Sequence, residues 1–190
     1  MKMWLIETGR KFIQNKDIRA EYLVKLRDRI ARMPDKEYID RLYYAKFGSH
    51  IDWENPKTFC EKLQWLKLYD RNPLYTTMVD KVKAKDYVAD IIGKEHIVPT
   101  LGVWDDPDEI DFDSLPGQFV LKCNHNSGLG MCICKDKSKI DIKKVKNNLR
   151  MGLNEDAYML AREWPYKDVP RKILAEQYLG DNLQDYSRLT

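Results

Sequence analysis

The stretch Phe119-Val120-Leu121-Lys122-Cys123-Asn124-His125-Asn126-Ser127-Gly128-Leu129-Gly130 decides how this chain folds and what it does. A single charge among apolar neighbours predicts a compact strand over 118–123. The glycines and small polar residues after it predict a tight loop over 125–130, and residues 131–134 return as a second strand. A lysine inside an apolar strand is expensive unless its ammonium meets a negative partner. Here it stands beside a loop whose glycines let backbone N–H groups approach a ligand closely. Lys122 and that loop therefore point to a site for nucleotide phosphates. The plainer alternative is an edge strand that turns Lys122 to solvent next to an ordinary hairpin.

Two further segments flank this one. Upstream, Asp80-Lys81 opens a predicted helix over 80–92 that Gly93 ends. A helix start attracts anions through its dipole and free N–H groups, so Lys81 could reach the same phosphates. Alternatively Lys81 is a solvated lysine on a charged face with Lys83 and Lys85. Downstream, residues 172–179 alternate like a strand that ends at Gly180. Within it Glu176 stands among apolar neighbours, where it either accepts from an amino or hydroxyl group of a nucleotide or is an edge-strand glutamate.

The rest of the chain falls into place around these segments. Ile18, Tyr22, Leu23, Leu26 and Ile30 recur at helical spacing and predict a helix over 17–33, closed by Pro34. Asp35 is expected to cap a second helix, stopped by Gly48 after Phe47. A third begins near Pro56 and carries Phe59, Leu63, Trp65, Leu66 and Leu68. The aromatics of this part (Tyr43, Tyr44, Phe47, Trp53, Trp65, Tyr69) are expected in a core. Beyond Gly93, short strands are expected at 97–99 and 102–104, a surface loop or short helix in the acidic stretch 105–114, and a helix with a basic face over 141–153. Helices first and mixed elements after them predict an α+β fold: a helical N-terminal region, 1–93, followed by a small mixed or antiparallel sheet with helices, 94–190.

Composition limits the alternatives. The 190 residues suffice for one domain or two small lobes, and the net charge of +3 is too slight to imply nucleic acid. The cysteines (60, 123, 132, 134) form no CxxC pair and the histidines lie far from any cysteine pair, so no metal site is expected. Free cysteines, no signal peptide and no apolar run near the ~20 residues that span a bilayer indicate a cytoplasmic protein.

In order and separation, Asp80-Lys81, Val120-Leu121-Lys122, Ser127-Gly128-Leu129-Gly130 and Ala175-Glu176-Gln177-Tyr178-Leu179 resemble the motifs of the ATP-grasp superfamily. Asn55-Pro56-Lys57-Thr58-Phe59, residues 61–67, Asp70-Arg71-Asn72-Pro73-Leu74, residues 99–104 and Arg162-Glu163-Trp164-Pro165-Tyr166 carry a closer resemblance, to the TupA-like ATP-grasp family. That family is named for a teichuronopeptide biosynthesis protein. Its members are often labelled glycosyltransferases and occur with cell-surface polysaccharide genes. The resemblance runs from about residue 35 to the end.

It implies an ATP-grasp-like fold that binds ATP with Mg²⁺ and joins a carboxylate to an amine by way of an acyl-phosphate. Lys81 and Lys122 would contact the α- and β-phosphates. The loop from His125 through Ser127, Gly128 and Gly130 would close over them as a flap. Backbone groups of Gln177 and Leu179 would meet the adenine edge, Glu176 its amino group, and Asp185 the ribose. The partner substrate would be a cell-surface polymer precursor bearing carboxylate or amine groups; the catalytic residues are not assigned.

The chain departs from the family pattern in the spacing of the flap glycines. It also has Asn124 and Asn126 where an acidic residue or threonine is expected. It stops at Thr190, before the strands that carry the family's magnesium ligands, so either a fragment or truncated product, or a second polypeptide that supplies the rest, is expected. Two other functions compete: a polysaccharide-biosynthesis glycosyltransferase and a non-catalytic remnant. Asp111-Phe112-Asp113 has the letters of a transferase metal motif but lacks the preceding apolar strand.

Overall fold

The computed structural model describes residues 29–180, and the chain divides into two compact units, Met1–Asp70 and Arg71–Thr190. Residues 29–32 are helical, while positions 17–28 of the first expected helix and Asp185 lie outside the described residues.

In the first unit, helix α1 (Asp35–Phe47) ends at Gly48, whose φ of 73° is the left-handed conformation that glycine adopts without a Cβ clash. Asp35 does not cap it. The cap position belongs to Pro34, and Asp35 occupies the first turn, where its charge still complements the helix dipole. Helix α2 (Phe59–Tyr69) starts three residues after Pro56, at a capping box in which Thr58 accepts from the Glu61 N–H and the Glu61 carboxylate accepts from the Thr58 N–H. Ile39, Tyr43 and Ile51 form a small core, with Trp53, Cys60 and Leu68 against it. Asp40 ties the intervening turn by accepting from the Ile51 N–H at 3.0 Å and meeting His50 Nδ1 at 2.6 Å. The expectation of an aromatic core holds for Tyr43 alone: Tyr44, Phe47, Trp65 and Tyr69 are exposed and Trp53 is half-buried. Several of them pair with one another or with a neighbouring cation, which orders rings without burying them.

The second unit opens with helices α3 (Leu74–Val79) and α4 (Lys83–Ile92) and continues into a four-stranded sheet. The strands are β1 (Thr100–Trp104), β2 (Phe119–Cys123), β3 (Cys132–Cys134) and β4 (Ile173–Gln177), in the order β1-β4-β2-β3 with every pair antiparallel. Between β3 and β4 lie helix α5 (Ile142–Leu153), capped by Asp141, and the short helix α6 (Ala157–Ala161). The fold is α+β, as the sequence predicts. Residues 97–99 are not a strand. A 3₁₀ turn over Lys94–His96 precedes them, and Thr100 is the first residue to pair, opposite Glu176.

One face of the sheet is the core. Phe119 and Leu121 of β2 and Ile173 and Ala175 of β4 are fully buried with Val145 and Leu149 of α5. The acidic stretch 105–114 is not simply surface. Pro107, Ile110 and Phe112 are buried, and Leu115 just beyond joins them, while the aspartates between face out. A capping box at Asp106 and Glu109 folds the segment, and the Lys137 ammonium fastens it by donating to the carbonyls of Phe112 (2.9 Å) and Asp113 (3.1 Å).

Candidate functional site

Alternation along a strand sends odd residues of β2 into the core, so Val120 and Lys122 emerge on the opposite face. The β2–β4 register sets Val120 opposite Glu176 and Lys122 opposite Leu174, which puts Lys122 and Glu176 diagonally adjacent on that face. Their side chains close the diagonal. The Lys122 ammonium pairs with Glu176 Oε2, and a second ammonium, Lys85 of α4, lies 2.7 Å from Oε1. Glu176 is thus a carboxylate held between two cations, its side chain 13% exposed. Burial alone would raise its pKa, but the hydrogen bonds from Lys122 and Lys85 outweigh that and hold it below the ordinary carboxylate value.

Lys81 stands at the neighbouring corner. Asp80 closes α3, and Lys81 and Val82 form a turn before α4, which starts at Lys83 and not, as expected, at Asp80. The Asp80 carboxylate accepts from the Val82 N–H at 2.9 Å, and its carbonyl accepts from the Ala84 N–H. That turn aims Lys81 at the root of the glycine loop, where its ammonium donates to the carbonyls of Asn124 (3.2 Å) and Asn126. Burial first, and the nearby Lys122 cation second, push the Lys81 pKa below its ordinary value. With the Lys122 ammonium close enough to act on Lys81, the two form a patch that favours an incoming anion.

The loop root is braced by two asparagines. Asn124 is fully buried, and its amide donates to Asp80 Oδ1 and to the Pro170 carbonyl at 2.8 Å each. Its side-chain oxygen accepts from the Lys172 N–H at 2.8 Å. An acidic residue here would set a carboxylate against buried Asp80; the amide supplies a donor instead. Asn126 donates to the carbonyls of Leu129 and Gly152 at 3.1 Å each. Gly130 and Gly152 meet backbone to backbone: a Cβ on Gly152 would lie 2.7 Å from the Gly130 Cα and 2.7 Å from Cys123 Sγ. Gly128 differs, with φ at +94° and nothing within 4 Å of its missing Cβ. Ser127, Gly128 and Leu129 form an exposed tip on a root fixed at both ends.

Residues 61–187 match the family model of the TupA-like ATP-grasp proteins. The chain belongs to the TupA-like ATP-grasp family. Members of the ATP-grasp family generally bind ATP and Mg²⁺. No curated protein and no solved structure gives a match.

Within this family member the site expected from sequence comes together in part. Lys81, Lys122 and Glu176 share one face, and Ser127 and Gly128 sit at the exposed loop tip beyond Lys81. Gly130 is buried in the packing beneath the loop. His125 is also turned inward. It is 3% exposed and its Nε2–H donates to the Glu155 carbonyl at 3.0 Å, which leaves Nδ1 as the bare nitrogen, without a hydrogen-bond partner. Burial pushes its pKa below the ordinary value. Gln177 and Tyr178 line an open cavity of about 480 Å³ with Leu101, Pro116, Gly117 and Gln118, and Leu179 is exposed just past it. The Gln177 N–H is engaged by the Pro99 carbonyl at 3.0 Å. Among the described residues, no three His, Cys, Asp or Glu side chains group as metal ligands, and no helix is long and apolar enough to cross a membrane. Lys85 is the site residue that sequence reasoning assigned to the solvated face. Its four-residue spacing from Lys81 on the predicted helix over 80–92 was the available signal, although the structure places Lys81 in the turn before α4.

Proposed function

We propose that this chain is the ATP-binding portion of an ATP-grasp carboxylate–amine ligase acting in cell-surface polysaccharide or teichuronopeptide biosynthesis in the cytoplasm. The observation that carries it is the clustering of three ammonium groups, Lys81, Lys85 and Lys122, with two carboxylates, Glu176 and Asp80, at the root of a glycine loop. A face with more cations than it neutralises suits the phosphates of a nucleotide. Lys81 spends two of its three N–H donors on loop carbonyls and keeps one for a phosphate oxygen. Lys122 supplies the second cation, and Ser127 and Gly128 offer backbone N–H groups from a tip that no side chain blocks. Gln177 lines the cavity that would take the base, with Leu179 just past it, and each Glu176 oxygen retains a lone pair for its amino group. Mg²⁺ would enter with the phosphates and neutralise charge during phosphoryl transfer.

The acceptor would be a polymer precursor bearing a carboxylate or an amine. Free cysteines throughout the described residues support a reducing compartment. Calorimetric titration with Mg-ATP tests the proposal. Lys122→Ala should weaken binding by about 1–3 kcal/mol, the scale of a charge-assisted contact. Unchanged affinity removes Lys122 from the phosphate site.

A further inference from the structure

Lys85 has no place among the family motifs quoted above, yet it makes one of the best-formed ion pairs of the molecule. Its Nζ is 2.7 Å from Glu176 Oε1 across 91 positions of sequence, and the two side chains are 15% and 13% exposed. Lys122, on the other oxygen, is 27% exposed. Exposure therefore grades the two cations: Lys122 is nearer solvent, and Lys85 sits behind the carboxylate.

We infer that Lys85 is the resident counter-ion of Glu176, a positioning residue that lets Lys122 leave that carboxylate for an incoming polyphosphate. The inference rests on the nucleotide reading of this face. With Lys85 in place, the departure of Lys122 leaves a neutral pair. Without Lys85, it would leave a mostly buried carboxylate unpaired beside the phosphates, with both desolvation and like-charge repulsion against it. Lys122 would then stay on Glu176 and the ligand would lose a cation. Asp80, the other buried carboxylate nearby, carries the same charge as Glu176 and cannot compensate it; its Oδ1 accepts from the Asn124 amide and the Val82 N–H. Lys81 is held by the loop carbonyls. Lys85 alone faces Glu176 from α4.

The test uses inorganic tripolyphosphate, which has no base to contact, and Mg-ATP in parallel, on the whole chain with folding checked by circular dichroism. Lys85→Gln should weaken tripolyphosphate binding about tenfold, the equivalent of one charge-assisted contact, and Lys85→Arg should restore it. The decisive arm is Lys85→Gln/Glu176→Gln, in which no carboxylate remains to be compensated. It should bind tripolyphosphate at least as well as the unaltered chain, and Glu176→Gln alone should bind it more tightly. A double variant as weak as Lys85→Gln would overturn the inference, since Lys85 would then touch the ligand itself. If Lys85→Gln does not fold, Glu176→Gln decides alone: unchanged or weaker binding overturns the inference. An unaltered chain that binds neither probe removes the nucleotide reading and the inference with it, whereas failure of the double variant alone leaves the nucleotide reading standing.

Discussion

The two faces of strands β2 and β4 are built from alternate residues of the same short segments, and they do opposite things. Phe119, Leu121, Ile173 and Ala175 look inward and are fully buried. One residue over, Lys122 and Glu176 look the other way and pair as ions, with Lys85 completing the group. The inner face holds the strands in place by excluding water; the outer face buries Leu174 and beside it holds the charges that, on the proposed reading, a ligand would reassign. A register slip of one residue would exchange the faces, so the core fixes where the site points.

Substitutions on the two faces should therefore separate stability from binding. The largest effect belongs to the inner face. Phe119→Ala should cost about 3–5 kcal/mol in urea unfolding, the range for emptying an aromatic site in a core. A loss below about 1 kcal/mol, the usual scale of an ordinary point substitution, would show that this face is not the core described. An intermediate effect is expected where the faces meet the loop. Asn124→Ala should cost about 1–3 kcal/mol because it strands the Lys172 N–H and takes a donor from buried Asp80. If the loop root depends on that asparagine, its amide hydrogens should also exchange faster; unaltered exchange would assign the bracing to Lys81 instead.

The smallest effect is a pH dependence from His125. Its folded pKa lies below the ordinary 6.5, so the unfolded chain takes up the proton more readily. Stability is complete above that ordinary value. As pH falls through 6.5 it should drop, by at most about 1.4 kcal/mol per pH unit, until the folded value is passed. Glu155, Arg171 and Lys81 face the ring, and His125→Asn should flatten the slope. A slope that survives this substitution would assign the titration to another group.

Much of the fold was legible in the sequence because its signals were local. The apolar run with one lysine, the glycine after Phe47 and the aspartate before Ile142 each identify an element by its own chemistry. The buried turn at 107–115 was hidden because aspartates surround its apolar residues, and only the spacing of Ile110, Phe112 and Leu115 records the inward side. The exposed aromatics of α1 and α2 were misjudged for a related reason. Spacing shows which residues share a stripe, not whether something lies against it.

The site divides in the same way. Lys122 and Glu176 were recognisable because a charge among apolar neighbours demands a partner, and Lys81 because it stands at a predicted helix start. The partners themselves were not, because the Lys85–Glu176 pair depends on a helix and a strand 91 positions apart. His125 and Gly130 carry the letters of a phosphate loop, yet the structure turns both inward. Whether a loop residue lines a site or packs beneath it depends on the chain segment behind it, here Gly152 and Glu155.

The outer face as a nucleotide site is the central claim, and calorimetric titration of the chain and of its Lys81→Ala/Lys122→Ala variant with Mg-ATP tests it most directly. The account predicts saturable binding by the chain and its loss in a variant that remains folded. Equal binding by both proteins, or none by the folded chain, would contradict it.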